Sequence, residues 1–108
     1  MKSLQIIYPK TDSIILNNVT YLQIGIKRPH SAPISETIKE DNGQWVEQYS
    51  FNSVIGISTD GGITYKSYTI TDKDILEFGD IYITNLRVRI DEPNNPYLIV
   101  DLAYETAE

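Results

Sequence analysis

The feature that most constrains the fold of this chain is an alternation of apolar and polar residues with a period of two. It is clearest over 22–26, 86–90 and 98–104, where large apolar side chains occupy every second position. Side chains of a β-strand point alternately to opposite faces, so this period is typical of strands with one buried and one solvated face. Antiparallel sheets are the usual setting for such half-buried strands. The pattern therefore predicts an all-β, antiparallel protein.

The positions of the strands follow from where turn-forming residues interrupt these runs. The segment 60–62 (Asp-Gly-Gly) supplies the left-handed backbone conformations of a hairpin turn. Ile83 and Leu86 are three positions apart, so their side chains would point to opposite faces of a regular strand. We expect a β-bulge near Asn85 that brings both side chains to the same face. Strands are expected at 3–8, 13–17, 19–27, 44–51, 53–58, 63–70, 81–91 and 97–105.

One short helix is expected near 72–78. Thr71 or Asp72 can cap its first turn and Gly79 can end it. Ile75 and Leu76 would then press the helix onto the core.

About eight short strands with frequent turns predict a single domain spanning 1–108. The favoured architecture is a two-sheet sandwich, either immunoglobulin-like or jelly-roll, and the sequence does not choose between the two. The chain has no cysteine, so no disulfide framework staples it. Packing or assembly must supply its stability.

The charge balance narrows the classes of partner. The formal net charge is −6, and an acidic surface repels both phosphate backbones and anionic lipid head groups. We therefore expect neither nucleic acid nor membrane as a partner. Nothing resembles an export signal, which predicts a cytoplasmic protein unless the chain is built into a particle.

The most specific local feature is the run S-T-D-G-G-I-T-Y that begins at Ser58. Ser58, Asp60, Gly62 and Thr64 match the Asp-box, the S-x-D-x-G-x-T-W hairpin of sialidases and related propellers, and Tyr65 stands where tryptophan is usual. The run resembles that motif over eight residues only. The resemblance implies a well-made structural hairpin away from any active site, with sugar recognition as the lesser alternative. A single copy cannot build a propeller, which needs several blades.

Residues that could carry chemistry are sparse. His30 is the only histidine, whereas a zinc site needs three or four ligands and a general base needs a nucleophile beside it. The acidic cluster of Asp72, Asp74, Glu77 and Asp80 has the oxygen ligands that calcium prefers, but capping of the expected helix explains it without a metal. The sequence therefore predicts no catalytic residue, no metal, no cofactor and no enzymatic activity.

The leading functional hypothesis is a structural or assembly protein. The chain is short, acidic, free of cysteine and all-β, and in these respects it resembles accessory capsid and tail proteins of tailed bacteriophages. That resemblance implies a place in a virion, other protein subunits as partners, and an oligomeric state. The N-terminal strand and the tail 103–108 are expected to add to neighbouring sheets by edge pairing.

The alternative hypothesis is a carbohydrate-binding or host-adhesion module. It would stack sugar rings on Trp45 or on exposed members of the eight tyrosines. The long polar segment 28–43 is expected to be a loop, and with the 60–62 tip it is the predicted interaction surface. Its candidate residues are Arg28, His30, Trp45, Asp60, Gly61, Gly62 and Tyr65.

Overall fold

The computed structural model describes residues 1–27, 52–94 and 97–107, together with the backbones of 36–39 and 45–48. Its elements are β1 (Lys2–Tyr8), β2 (Ser13–Lys27), β3 (Glu36–Lys39), β4 (Trp45–Gln48), β5 (Asn52–Ser58), β6 (Lys66–Thr71), β7 (Ile75–Phe78), β8 (Ile83–Glu92) and β9 (Leu98–Thr106). All of the pairings are antiparallel, so the predicted all-β, antiparallel class is confirmed.

The main sheet is one continuous surface of seven strands. Its strand order is β1-β9-β2-β8-β5-β6, and β7 pairs separately with β2. The prediction of a two-sheet sandwich is not confirmed, because these seven strands are joined edge to edge. A separate two-stranded ladder pairs β3 with β4. The strand β3 lies inside 28–43, so part of the segment expected to be a loop is extended and paired.

The strand β2 is fifteen residues long and organises the sheet. Its first half pairs with β8 and its second half pairs with β9, while residues 22–25 also pair with β7 on the edge that β8 leaves free. The halves meet at Asn18, which has a φ of 54°, and at a register shift between Val19 and Tyr21. Leu16 is buried before these irregularities, Val19 between them and Leu22 after them, so inward positions are here three residues apart instead of two. The two expected strands, 13–17 and 19–27, thereby form a single bent one. The expected bulge near Asn85 is absent, since the β2–β8 register is uniform.

The predicted helix near 72–78 is absent, and this part of the expectation is wrong. Residues 72 and 73 form a turn, and β7 pairs with residues 22–25 of β2. A run as short as Ile-Leu-Glu-Phe fits either period, and one or two turns of helix form few internal hydrogen bonds. The free edge of β2 offers a full ladder instead, with Leu76 and Phe78 packed against the core.

The core consists of side chains that point inward from the strands of the main sheet, as the alternation of apolar and polar residues predicts. The Tyr68 ring on β6 meets the Phe78 ring on β7 edge-on, with centroids 5.8 Å apart, which shows that β6 and β7 pack against each other across the core. The buried apolar residues are Ile6, Leu16, Val19, Leu22, Ile24, Ile26, Ile55, Ile57, Ile70, Leu86, Val88, Leu98, Val100 and Leu102.

Candidate functional site

The Asp-box-like run forms the connection between β5 and β6. Gly61 and Gly62 have φ values of 76° and 94°, which confirms the left-handed conformations expected of this turn. Residues 59–65 form the loop, so β6 begins at Lys66 rather than at the predicted position 63. The predicted interaction residues 60–62 and Tyr65 are therefore brought together in one hairpin.

Side-chain hydrogen bonds close this hairpin from within. The buried Ser58 hydroxyl donates to Asp60 Oδ1 at 2.7 Å and accepts from the Gly62 backbone N–H at 2.8 Å. Thr64 donates to the Asp60 carboxylate from its backbone N–H at 2.9 Å and from its hydroxyl at 2.6 Å. These bonds hold the pKa of Asp60 well below its ordinary value, with the Thr64 hydroxyl as the largest cause. The carboxylate is thus charged at neutral pH, and both of its oxygens are already occupied.

Two arginines of β8 lie over the hairpin on the outer face of the sheet. The Arg89 guanidinium is 3.5 Å from the centre of the Tyr65 ring, a cation–π contact, and it also pairs with Asp91 at 2.5 Å. The Arg87 side chain is so close to Gly62 that an added Cβ there would lie 2.9 Å from Arg87 Nη1. The predicted residue Tyr65 is therefore engaged within the protein.

A small apolar cavity of about 290 Å³ lies beside the hairpin, on the core side of the sheet. Its walls include Tyr65, Tyr68, Phe78, Ile81 and Leu86. Aromatic and aliphatic side chains predominate, so the cavity offers few groups that could orient a polar ligand.

The free edge of β1 is a second candidate site. All seven residues of β1 pair with β9 in an uninterrupted register that runs from Lys2 opposite Tyr104 to Tyr8 opposite Leu98. Among the residues that the structure describes, none forms a ladder with the opposite edge of β1.

The backbone groups on that free edge can be assigned from the contacts of Ile7. The Ile7 N–H donates to Thr11 Oγ1 at 3.1 Å, and the Ile7 carbonyl accepts from the Thr11 N–H at 2.8 Å. Because Thr11 lies beyond the strand, the groups of Ile7 point away from β9. Direction alternates along a strand, so the N–H and C=O groups of Ser3 and Gln5 point the same way.

The side chains of this edge strand are unusually apolar for an exposed position. Met1, Leu4 and Ile7 are 75%, 38% and 45% exposed. Lys2 is the only charged residue of the segment 1–8, and its Nζ donates to Thr106 Oγ1 at 3.0 Å. Natural sheet edges are usually protected by charge, proline or a bulge, and β1 has little such protection.

The acidic residues near 72–80 do not cap a helix. Asp74 instead accepts a hydrogen bond from the Thr71 N–H at 2.9 Å and thereby closes the turn between β6 and β7. With Gln5, Gln23 and Asp101 it lines a shallow concavity of about 810 Å³ on the outer face of the sheet, whose lining also includes Ile75. In the described ranges no three or more His, Cys, Asp or Glu side chains are grouped so that they could hold a metal ion.

Three further predicted site residues lie wholly or partly outside the residues that the structure describes. Arg28 and His30 lie outside the described residues. Trp45 begins β4 and lies opposite Lys39 of β3, but its side chain is also outside the described part of the structure. The N-terminal strand was predicted to pair with a neighbouring sheet, but Ser3, Leu4 and Gln5 were not among the predicted interaction residues. The sequence signal that could have identified them is that the seven residues of β1 contain only one charged side chain.

The tail 103–108 was expected to pair with neighbouring molecules, and that expectation is wrong for residues 103 and 104, which β1 pairs on one edge and β2 on the other. The strand β9 extends to Thr106 and lies between β1 and β2, so its own sheet uses it.

Comparison with protein-family models, with curated proteins and with solved structures finds no match to this chain. In the part of the chain that the structure describes, no helix has the length and apolar character needed to cross a membrane.

Proposed function

We propose that this protein is a non-enzymatic structural subunit of a large assembly, joined to its neighbours through the free edge of β1. The observation that carries the proposal is the outward direction of the Ser3 and Gln5 backbone groups on an apolar strand. An edge of this kind binds another strand through main-chain hydrogen bonds, which is the recognition mode called β-augmentation.

The kind of assembly is proposed from composition. The chain is acidic, free of cysteine and all-β, which resembles accessory capsid or tail proteins of tailed bacteriophages. We therefore propose a virion as its location and other protein subunits as its partners.

The contrast between the two candidate sites supports an assembly role over a sugar-binding role. The Asp-box-like hairpin uses its carboxylate and serine hydroxyl internally, so few of its polar groups remain for a sugar. The carbohydrate-binding alternative, which relies on Trp45 and exposed tyrosines, stays a prediction.

The test is the mass of the particle that contains the chain in its natural source, for the native protein and for Ser3→Pro. Proline removes the outward N–H of residue 3 but no bond to β9, and edge strands tolerate it, so we expect a stability change below about 1 kcal/mol. We expect the native chain in a particle many times heavier than its own 12.3 kDa, and the variant released from it.

Ser3→Ala is the matched control, because it removes the same hydroxyl but keeps the N–H. It should remain in the particle. A native chain that is found free at 12.3 kDa, or a Ser3→Pro chain that assembles normally, would contradict the proposed function.

A further inference from the structure

We propose that the partner of the β1 edge is β1 of a second copy of this chain, paired antiparallel about a two-fold axis at Leu4. This inference rests on the proposed function and deepens it by naming the occupant of the edge and the register of pairing. The pairing is isologous, so the same patch is used on both copies.

The available backbone groups are symmetric about Leu4. Ser3 precedes it and Gln5 follows it, and both direct their N–H and C=O groups outward. In an antiparallel pair centred on Leu4, Ser3 of each copy lies opposite Gln5 of the other. Each such pair exchanges two hydrogen bonds, which gives about four across the axis.

The exposed apolar side chain of Leu4 finds a partner in the same register. Leu4 lies opposite Leu4 of the second copy at a non-hydrogen-bonded position, where cross-strand side chains are closest. The exposed side chain of Leu4 on each copy is thus covered by that of the other.

Charge favours this surface over the rest of an acidic protein. Two copies that each carry a net charge of −6 repel each other, so a contact needs a patch without free carboxylates. The segment 1–8 contains none, and its single charge, on Lys2, lies opposite Ile6 in this register. The nearby Asp101 carboxylate already accepts from Gln5 Nε2 at 2.6 Å and lies 3.4 Å from Lys27 Nζ.

The two neighbouring registers fit less well. A pair centred on Gln5 places Ser3 opposite Ile7, whose backbone groups are held by Thr11. A pair centred on Ser3 also uses the outward backbone groups of Ser3 and Gln5, but it places Leu4 opposite Lys2 instead of opposite the second Leu4. Of the three registers, only the one centred on Leu4 both pairs the outward groups of Ser3 with those of Gln5 and brings the two Leu4 side chains together.

Cysteine cross-linking of the purified protein tests this register, because the native chain contains no cysteine. The three variants are Leu4→Cys, Ser3→Cys and Gln5→Cys, oxidised under identical mild conditions. Opposed non-hydrogen-bonded positions have Cα atoms about 4.5 Å apart, within the range of a disulfide, whereas the two copies of residue 3 or 5 would be more than about 7 Å apart. We expect Leu4→Cys to form covalent dimer about tenfold faster than the other two.

The three variants test both the register and the identity of the partner. Faster cross-linking of Ser3→Cys or Gln5→Cys would overturn the register, and no cross-linking by any of them would overturn the second copy as occupant. Adding Ser3→Pro to Leu4→Cys should abolish the dimer while thermal melting remains cooperative, which excludes cross-linking of unfolded chains. If no variant cross-links but Ser3→Pro still leaves the natural particle, this inference fails while the proposed function stands.

Discussion

The hairpin 58–65 bonds its polar groups internally, whereas the strand β1 directs the backbone groups of one edge outward. In the hairpin, side chains satisfy backbone and carboxylate groups at close range, and Arg89 covers the aromatic ring of Tyr65. In β1, one edge is fully paired with β9 and the other directs the backbone groups of Ser3 and Gln5 outward. The comparison teaches that the most recognisable motif of this sequence is structural, whereas an ordinary-looking strand has the groups that can bind a partner.

The largest effect that sharpens this comparison is expected from Ser58→Ala. The buried hydroxyl accepts from the Gly62 N–H and donates to Asp60, so its loss leaves the partly buried Gly62 N–H without a partner. We expect a loss of about 2 kcal/mol in the free energy of unfolding, measured by urea denaturation. Assembly of the folded fraction should not change.

Ser67→Ala is the control for that variant, because Ser67 is exposed and its hydroxyl makes one long contact of 3.4 Å to Asp91. Its effect should stay within about 0.5 kcal/mol. Equal stabilities of the Ser58 and Ser67 variants would show that the hairpin network is not structural.

A smaller effect is expected from Gly62→Ala. Gly62 has a φ of 94°, which L residues rarely adopt, and an added Cβ would lie 2.9 Å from Arg87 Nη1, so the Arg87 side chain would also have to shift. We expect a loss of about 1 kcal/mol in stability from backbone strain, measured by denaturation, with no change in assembly.

Gly79→Ala is the matched control here, since no positive φ occurs at Gly79 and a Cβ would meet only Tyr21 Cδ2 at 4.0 Å. Its stability should change by less than about 0.5 kcal/mol. If Gly62→Ala disrupts assembly without a loss of stability, the hairpin tip is an interaction surface, and the comparison drawn above fails.

The sequence predicted those features that depend on neighbouring residues. The period of two identified the inward sets, such as Leu22, Ile24 and Ile26, because inward and outward directions alternate locally. The turn chemistry of 60–62 was predictable for the same reason, since glycine tolerates positive φ wherever the turn lies.

Features that depend on distant residues could not be predicted. The periodicity does not encode strand order, so it did not show that β1 is an edge while β9 is interior. The strand β7 forms because residues 22–25 of β2 have an edge that β8 does not pair with. The sequence of 75–78 contains no information about that unpaired edge. The bend at Asn18, which joins two expected strands into β2, likewise depends on the partners on both of its edges.

Amide hydrogen exchange, resolved by residue, is the most direct test of the central claim that β1 has one occupied and one free edge. In dilute solution we expect Leu4 and Ile6 to be protected by their bonds to β9, and Ser3 and Gln5 to exchange quickly. Raising the protein concentration should then protect Ser3 and Gln5. Strong protection of Ser3 and Gln5 in dilute solution, equal to that of Leu4 and Ile6, would contradict the account.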